Sequence, residues 1–306
     1  MSGGRIAVLG SANMDLVVTV DRAPQRGETV PGHSLHTVPG GKGANQALAA
    51  ARAGGTVTFL GAVGDDEHGR RITNLLRDAG IDVSGLATVD QPTGTAHIVV
   101  DAAGDNSIVV VPGANGTVSS LTEDHRAGIE AADLLLLQLE LPLAVVGAAA
   151  TYARERGVRT VLTPAPAVPL PDSLLAAVDV LVPNEHEAAL LTGAGAADAA
   201  ARSLAAGGRD VVITLGRSGA LHVSAADQPT VRRVPPFAVD AVDTTAAGDT
   251  FAGVLAVGLA EGVDWSASLR RASAAAALSV QRFGASSSMP GRAEIDAFLD
   301  AAEVGR

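Results

Sequence analysis

The sequence predicts an α/β protein with a doubly wound, mostly parallel central sheet that is flanked by helices. Short β-prone runs alternate with helical patterns, most regularly between residues 133 and 215, and strands separated by helices are typical of parallel pairing. Hydrophobic residues make up 47% of the 306 residues but aromatic residues only 2%, so Ala, Val and Leu must build the core. This length can bury a large core, and we expect residues 1–306 to form a single domain.

The elements of the main sheet follow from this alternation. Each predicted strand is a short β-prone run, and each predicted helix is a longer stretch of small or amphipathic residues. The predicted strands are residues 5–10, 56–63, 133–139, 160–163, 178–182 and 210–215. The predicted helices are residues 47–53, 67–79, 143–156, 185–192, 196–206 and 250–260.

A small additional β-sheet is predicted near the N-terminus. Residues 95–100 and 107–111 are β-prone runs on either side of a turn, which is typical of a hairpin. Residues 16–20 and strand-like pieces near 30–38 have the same character. We interpret these runs as a lid over the functional site, with its strands drawn from about residues 12–40 and 93–112.

Charge and composition exclude several classes of function. The formal net charge of −11 opposes a long contact with nucleic acid, and we find no basic cluster to offset it. Zero cysteines exclude disulfides and thiol nucleophiles and are compatible with a reducing cytosol. The apolar run at residues 6–10 is too short for a signal peptide, and polar residues interrupt the apolar region 131–153. We expect a cytoplasmic protein without a membrane span.

The stretch VDTTAAGDTFAG, residues 242–253, predicts a buried helix N-terminus that faces an anion. The residues after Asp249 are apolar or small on every face, so the helix belongs inside the core. The first amides of a helix lack internal partners, so Ala246, Ala247 and Gly248 can present N–H groups to an anion. Asp249 is then either an N-terminal cap or a base beside the developing negative charge.

Further polar residues collect where predicted strands end, which is the edge at which open α/β sheets bind ligands. Asn13 and Asp15 follow the first strand, although a simple turn explains them equally well. The run PGGKGANQ, residues 39–46, predicts close approach of the backbone to a ligand, but it is not a Walker motif. Later strand ends carry Glu140, Asn184, Glu187, Thr214, Gly216 and Gly219.

Together these motifs closely resemble the ribokinase family of sugar and nucleoside kinases, over nearly the whole length. The runs at residues 40–46 and 243–251 match the two signatures of that family, and Asn184-Glu-His-Glu187 is a third match in the expected order. The resemblance implies ATP-dependent phosphorylation of D-ribose at its 5-hydroxyl, giving ribose 5-phosphate and ADP. The alternative is a sister kinase that acts on 2-deoxyribose, fructose or adenosine.

The resemblance also implies roles for individual residues. Asp249 would be the catalytic base, and the amides of Ala246, Ala247 and Gly248 would form the anion hole. Residues implied to bind ribose, together with Asp249, are Asn13, Asp15, Gly41, Lys42, Asn45 and Glu140. Residues implied to bind ATP are Asn184, Thr214, Gly216, Gly219, Gly248 and Ser273, with Glu187 ordering Mg²⁺ and its waters. At Ser273, the position that touches adenine, the family often carries Asn or His.

A monovalent cation, usually K⁺, and a homodimer through the lid strands are further implications of the resemblance. The cation would lie at Asp243, Thr245, Ser279, Arg282, Gly284 and Ser288, several of them through backbone oxygens. A loop held by ordinary hydrogen bonds is the alternative at this place. Two rival classes remain: a non-catalytic sensor, which the retained Asp249 argues against, and a dinucleotide oxidoreductase, whose glycine spacing is missing after the first strand.

Overall fold

The computed structural model describes residues 3–226 and 228–304 and gives the bounds of each element. The strands in chain order are β1 (Arg5–Leu9), β2 (Asn13–Val20), β3 (Gly32–Gly40), β4 (Thr56–Gly64), β5 (Leu86–Val89), β6 (Gly94–Val100), β7 (Asn106–Val111), β8 (Leu134–Leu137), β9 (Arg159–Leu162), β10 (Val180–Leu181), β11 (Asp210–Thr214), β12 (Ala220–Val223) and β13 (Val231–Val234). The helices are α1 (Lys42–Arg52), α2 (Glu67–Asp78), α3 (Glu123–Glu130), α4 (Leu143–Glu155), α5 (Asp172–Ala177), α6 (Glu185–Thr192), α7 (Ala197–Ala205), α8 (Ala247–Ala260), α9 (Trp265–Ser279) and α10 (Arg292–Val304).

The main sheet within the described residues has nine strands in the order β13-β12-β11-β10-β9-β8-β1-β4-β5. Pairing is parallel from β11 through to β5, and only the β11–β12 and β12–β13 pairs at one edge are antiparallel. The chain moves outward from β1 in both directions, as in other doubly wound sheets. The predicted mostly parallel central sheet is therefore confirmed.

Helices cover both faces of this sheet because its strands are buried on both sides. Ile6 and Val8 of β1 face one core cluster, whereas Ala7 and Leu9 face the other. The first cluster includes residues of α1, α2, α8, α9 and α10, and the second includes residues of α3 to α7. Continuous aliphatic strands such as Leu134–Leu137 are typical of a sheet buried on both faces. Among helices in the described residues, none has the length and apolar character needed to cross a membrane.

A separate small sheet has the strand order β3-β2-β6-β7. The β2–β3 and β6–β7 pairs are antiparallel, and β2–β6 is parallel. Asn13, at the start of β2, pairs with Gly40 on one side and Gly94 on the other. The root of the small sheet therefore adjoins the glycine-rich run, and its action as a lid remains a prediction.

Several boundaries differ from the prediction. Helix α1 begins at Lys42, five residues before the predicted start, because Gly41 turns the chain with a φ of 90° and burial then favours helix over the local propensity. Asn13 and Asp15 lie inside strand β2 and not in a turn. The elements β5, β12, β13, α3, α5, α9 and α10 lie outside the ranges predicted.

Candidate active site

Helix α8 begins with an unusual backbone conformation. Its N-cap is Ala246, with a φ of 57°, and no other non-glycine residue in the described chain has a positive φ. The left-handed conformation costs a residue with a Cβ atom about 1–2 kcal/mol, and such strain concentrates at functional sites. The Ala247 N–H donates to the carbonyl of Thr244 at 3.2 Å, whereas the Gly248 N–H has no acceptor among the described residues. The amides of Ala246, Gly248 and Asp249, for which no acceptor lies among the described residues, are thus available to an anion.

Asp249 is the third residue of α8 and is 9% exposed. Its Oδ1 accepts from Nε2 of Gln46 at 3.0 Å, and its Oδ2 accepts from Nδ2 of Asn45 at 3.3 Å. The N-cap position belongs to Ala246, and no side-chain capping bond is made. The capping interpretation of Asp249 is therefore wrong, and its carboxylate faces the glycine-rich run instead.

Burial raises the pKa of Asp249 to about 6. The ammonium of Lys42 and the hydrogen bond from Gln46 act in the opposite direction, and the charge of Glu140 adds to the rise. The carboxylate is therefore mostly ionised at neutral pH, yet its proton affinity is high enough for proton transfer. A pKa close to the working pH is what general base catalysis requires.

The glycine-rich run lets α1 begin directly against the first two strands. At Gly41 a Cβ atom would lie 2.8 Å from the backbone nitrogen of Asn13, and at Gly43 it would lie 2.5 Å from that of Ser11. Both contacts are with backbone atoms and cannot be relieved by turning a side chain. These glycines bring Lys42 and Asn45 within reach of the residues that follow β1.

Polar side chains from four parts of the chain meet in front of Asp249. Glu140 Oε2 accepts from Oγ of Ser11 at 2.5 Å and from the backbone N–H of Lys42 at 3.0 Å. Oδ1 of Asn45 is buried without a hydrogen-bond partner in the described structure, so it can accept from a bound hydroxyl. We call this set the polar pocket; its members are Asn13, Asp15, Gly41, Lys42, Asn45, Glu140 and Asp249.

The polar pocket holds one ammonium among several carboxylates. Burial raises the pKa of Asp15 to about 7, and the charges of Glu140 and Asp249 contribute to the rise. Burial alone would lower the pKa of Lys42, but attraction to Asp249, Glu140, Glu187 and Asp15 outweighs it, and the net pKa is raised. Burial also raises the pKa of Glu187. Lys42 therefore stays charged, and its ammonium limits the rise in the pKa of Asp15, Asp249 and Glu187.

A cleft of about 640 Å³ lies beside the N-terminus of α8 and is lined by residues other than those of the polar pocket. Apolar residues such as Phe251 and Val280 form part of its wall, and the Oγ of Ser273 is buried without a partner in the described structure. Five residues predicted to bind ATP line it, namely Thr214, Gly216, Gly219, Gly248 and Ser273. The cleft thus has the apolar walls and few polar groups of a cofactor site.

Asn184 and Glu187 do not line this cleft. They form the capping box of α6, in which each side chain accepts from the backbone N–H of the other residue at 2.8 Å. Asn184 also forms a parallel bridge with Thr214, so it adjoins the cleft. The charge of Glu187 acts on Lys42, which places this carboxylate at the border with the polar pocket.

Asp243 organises the loop before α8. Its Oδ1 accepts from the N–H and hydroxyl of Thr245 at 2.9 and 2.6 Å, and its Oδ2 accepts from the N–H of Gly284 at 2.8 Å. The Val280 carbonyl accepts from the N–H of Asp243, which joins this loop to the end of α9. The structure thereby brings together three of the six residues of the predicted cation site: Asp243, Thr245 and Gly284.

The other three predicted cation residues have different partners. Ser279 and Ser288 donate their hydroxyls to backbone carbonyls three residues earlier, and the Arg282 guanidinium donates to Glu294 at 2.6 Å. Over residues 3–226 and 228–304, no group of three or more His, Cys, Asp or Glu residues is arranged to hold a metal ion. Any cation beside Asp243 would depend on one carboxylate and neutral oxygens.

Comparison with known families gives the same assignment for residues 4–292, which match the family described as pfkB family carbohydrate kinase. The chain belongs to this carbohydrate kinase family. The chain is 45% identical over 296 residues to the ribokinase of Bacillus subtilis (strain 168), and the alignment covers 96% of this chain and 99% of the relative. It is 40% identical over 308 residues to the ribokinase of Schizosaccharomyces pombe, and this alignment covers 95% of this chain and 96% of the relative. The predicted family and the predicted enzyme class are confirmed.

Solved structures of ribokinases share the fold of this carbohydrate kinase. The structure of Arabidopsis thaliana ribokinase complexed with ribose and ATP matches with a TM-score of 0.90 at 34% identity and covers 98% of this chain and 99% of that chain. The ribokinase of Thermotoga maritima matches with a TM-score of 0.88 at 36% identity and covers 96% of this chain and 99% of that chain. The ribokinase-like fold is therefore confirmed.

Some residues of this kinase site were not singled out from the sequence. The amide of Asn115 donates to Oδ1 of Asn13 at 2.7 Å, and the hydroxyl of Ser11 holds Glu140. Arg217, on a short 3₁₀ turn, is a charged residue that lines the cleft. Gln46 lies in the glycine-rich run, which is a signal for it, but the loop sequence around Asn115 carries none.

Proposed function

We propose that this carbohydrate kinase is a ribokinase, which transfers the γ-phosphoryl group of ATP to the 5-hydroxyl of D-ribose and releases ribose 5-phosphate and ADP. One observation carries the proposal: the buried Asp249 carboxylate stands at the N-terminus of α8, between the polar pocket and the cleft. The chain matches relatives named ribokinase over nearly their whole length, and their name supports the choice of ribose as the sugar.

The polar pocket suits a small ligand made of hydroxyl groups. Carboxylates and carboxamides each form two or more hydrogen bonds, and those of Asn13, Asp15, Asn45 and Glu140 all lie in it. A ligand without matching hydroxyls would leave buried polar groups such as Oδ1 of Asn45 unpaired, at a cost of about 1–3 kcal/mol each. We propose that ribose binds here.

Asp249 is the proposed base for the transfer. Its carboxylate takes the proton of the 5-hydroxyl as the bond from O5 to the γ-phosphorus forms and the bond from that phosphorus to the ADP oxygen breaks. The Gly248 amide and the positive end of α8 would stabilise the charge on the transferring group. Because the Ala247 N–H already donates to Thr244, we assign it a smaller part than Gly248 in the proposed anion hole.

We propose that ATP occupies the cleft. Solved ribokinases complexed with ribose and ATP, or with ADP, support this nucleotide. Gly216 and Gly219 turn the chain at the wall of the cleft with positive φ values of 51° and 88°. A Cβ atom at Gly216 would meet nothing within 4 Å, whereas one at Gly219 would clash with the carbonyl of Val234. The unpaired hydroxyl of Ser273 would contact the adenine.

Mg²⁺ would accompany the phosphates near Glu187. One Glu187 oxygen, Oε2, accepts from the N–H of Asn184, which leaves Oε1 for the waters of a hydrated cation. When bound, Mg²⁺ would neutralise part of the negative charge of the phosphates. The residues present therefore fit the predicted role of Glu187 in ordering Mg²⁺ and its waters.

K⁺ is proposed at the loop of Asp243. Oδ2 of Asp243 accepts one hydrogen bond, from Gly284, and retains capacity for a further ligand. One carboxylate with neutral oxygens suits a large monovalent ion better than Mg²⁺, which prefers a compact octahedral shell. Because Ser279, Arg282 and Ser288 direct their side chains elsewhere, only their backbone oxygens would take part in this proposal.

A homodimer through the small sheet is also proposed. Strand β7 is exposed along its whole length although it carries Ile108, Val109, Val110 and Val111, and Leu35 of β3 is 64% exposed. Such an apolar face on a sheet edge is a typical site of self-association. A cytoplasmic location is likewise a proposal, which rests on composition.

The proposed function is tested by an ADP-release assay with MgATP against ribose, 2-deoxyribose, fructose and adenosine. We expect a value of kcat/KM for ribose well above those for the other three acceptors. A higher value for another acceptor would instead assign the chain to a sister kinase. ATP binding without turnover of any acceptor would favour the sensor.

A further inference from the structure

Two buried glutamine side chains lie behind Asp249, on the side away from the cleft. Gln46 of α1 is 0% exposed and Gln138, after β8, is 1% exposed. Nε2 of Gln138 donates to Oε1 of Gln46 at 2.7 Å, and Nε2 of Gln46 donates to Oδ1 of Asp249 at 3.0 Å. The second N–H of Gln46 is directed to Oγ1 of Thr163 at 3.3 Å. Neither glutamine belongs to the residues assigned above to ribose or ATP.

The hydrogen bonds in this chain of side chains have one consistent direction. An ionised carboxylate only accepts, so the Gln46 amide must turn its nitrogen toward Asp249 and its oxygen toward Gln138. Gln138 donates to that oxygen and so supports the same orientation of the Gln46 amide. If the Gln46 amide turned, its oxygen would face the Asp249 carboxylate, and that contact would be repulsive. The Gln138 amide would have to turn as well, since its nitrogen would otherwise face the Gln46 nitrogen; its own Oε1 is buried without a partner in the described structure.

We propose that Gln46 is a positioning residue for Asp249 and that Gln138 helps to hold the Gln46 amide in this orientation. The bond to Oδ1 holds the carboxylate plane, so that Oδ2, whose bond from Asn45 is longer at 3.3 Å, is the oxygen presented to the acceptor hydroxyl. The identity of that hydroxyl rests on the proposed function, whereas the arrangement of the Asp249 carboxylate is independent of it.

A neutral donor is suited to this position because the surroundings are already crowded with charge. Lys42 from α1, Glu140 from the loop after β8 and Asp15 from β2 all act on the same site. Burial raises the pKa of Asp249, and the hydrogen bond from Gln46 lowers it without adding a charge. Loss of this donor therefore raises the pKa above its value of about 6 and reduces the ionised fraction at neutral pH.

Three variants separate positioning from packing. Gln46→Leu removes the donor at similar volume, and Gln138→Leu keeps the donor but removes the group that orients it. Thr163→Val is the matched control, because it removes the other acceptor of the Gln46 amide and leaves the bond to Asp249 in place. All three sites are buried in the same part of the protein.

The test combines a pH profile of kcat/KM with carbon-13 NMR titration of the Asp249 carboxyl, assigned by its loss in Asp249→Asn. For Gln46→Leu we expect the acid limb and the NMR midpoint to rise by about one pH unit, with kcat lower by roughly ten- to a hundredfold at pH 7. Gln138→Leu should show a smaller shift in the same direction. Thr163→Val should keep the wild-type midpoint.

A wild-type midpoint in folded Gln46→Leu would overturn the proposal, as would an equal shift in Thr163→Val. If Gln46→Leu fails to fold, Gln138→Leu decides, and an unchanged midpoint there refutes the orienting role and with it the proposal. If wild-type protein phosphorylates no acceptor, the proposed function fails. The NMR titration still measures the effect of Gln46 on Asp249, so the two failures are distinguishable.

Discussion

Replacing Gly248 with alanine separates the contribution of this residue to folding from its contribution to the reaction. Gly248 is the second residue of α8, and a Cβ atom placed there meets nothing within 4 Å outside its own helix turn. The added methyl group therefore enters the cleft, which Gly248 lines, and not the packed protein. We expect Gly248→Ala to fold normally and to lose phosphoryl transfer.

The Gly248→Ala change is expected to raise stability slightly and to lower the rate of phosphoryl transfer strongly. Alanine favours a helix over glycine by about 0.5–1 kcal/mol in the interior and by less in the first turn, so Tm should rise by about 1–2 °C or stay unchanged. The methyl group would hold the transferring phosphoryl group about 1 Å from its place beside the Gly248 amide. A displacement of this size costs on the order of a hundredfold in rate, and we expect that loss in kcat/KM for ATP.

Thermal unfolding and the ADP-release assay, made on the same preparation, check this prediction. Gly147→Ala is the matched control, since Gly147 is also helical, in α4, and also has nothing within 4 Å of an added Cβ atom. It should gain stability without any change in kinetics. Wild-type kcat and wild-type KM for ATP in Gly248→Ala would refute the proposed approach of the phosphates to this amide.

Three further predictions concern pH, the cation and assembly. Because Asp249 has a pKa of about 6 and must be ionised to accept a proton, kcat/KM should fall below pH 6 and be roughly tenfold lower at pH 5; a flat profile from pH 5 to 8 would contradict this. Turnover should be faster in KCl than in NaCl, and Asp243→Asn should remove the difference; equal wild-type rates in both salts argue against the cation site. Val109→Lys on exposed β7 should convert a dimer into a monomer in analytical ultracentrifugation, and an unchanged dimer would place the interface elsewhere.

Much of the fold could be predicted because its main signals are local. Aliphatic runs such as Leu134–Leu137 and helices of small residues are legible in the sequence alone. Helix α1 was harder, since Gly43 and Asn45 are poor helix formers and the helix there depends on burial against β1 and on the turn at Gly41. Short edge strands such as β12 and β13 carry too few residues for a reliable pattern.

Part of the candidate site could likewise be predicted from local sequence, and part could not. Asp249 and the glycine-rich run stand out because unusual residue types are adjacent in sequence. The residues that hold them do not, because each partner lies far away along the chain. Gln138 meets Gln46 across 92 positions, and Asn115 meets Asn13 across 102. Only the fold brings the two amides of each pair together.

The left-handed turn at Ala246 is a second feature that the sequence does not reveal. Alanine is a good helix former, and nothing in the run AAGD predicts a φ of 57° before the helix. The conformation depends on contacts of the neighbouring loop, including the bond between the Ala247 N–H and the carbonyl of Thr244. The sequence therefore predicts an anion site at the start of this helix, but it does not predict this backbone conformation.

Turnover by Asp249→Asn tests the central claim most directly. The variant can be accommodated, because its side-chain oxygen still accepts from Gln46 and its nitrogen can donate to the unpaired Oδ1 of Asn45 once that amide turns. We predict a folded protein that binds ATP with wild-type affinity in calorimetry and loses about 10²- to 10⁴-fold in kcat with ribose. Wild-type turnover by this variant would contradict the role of Asp249 as the base.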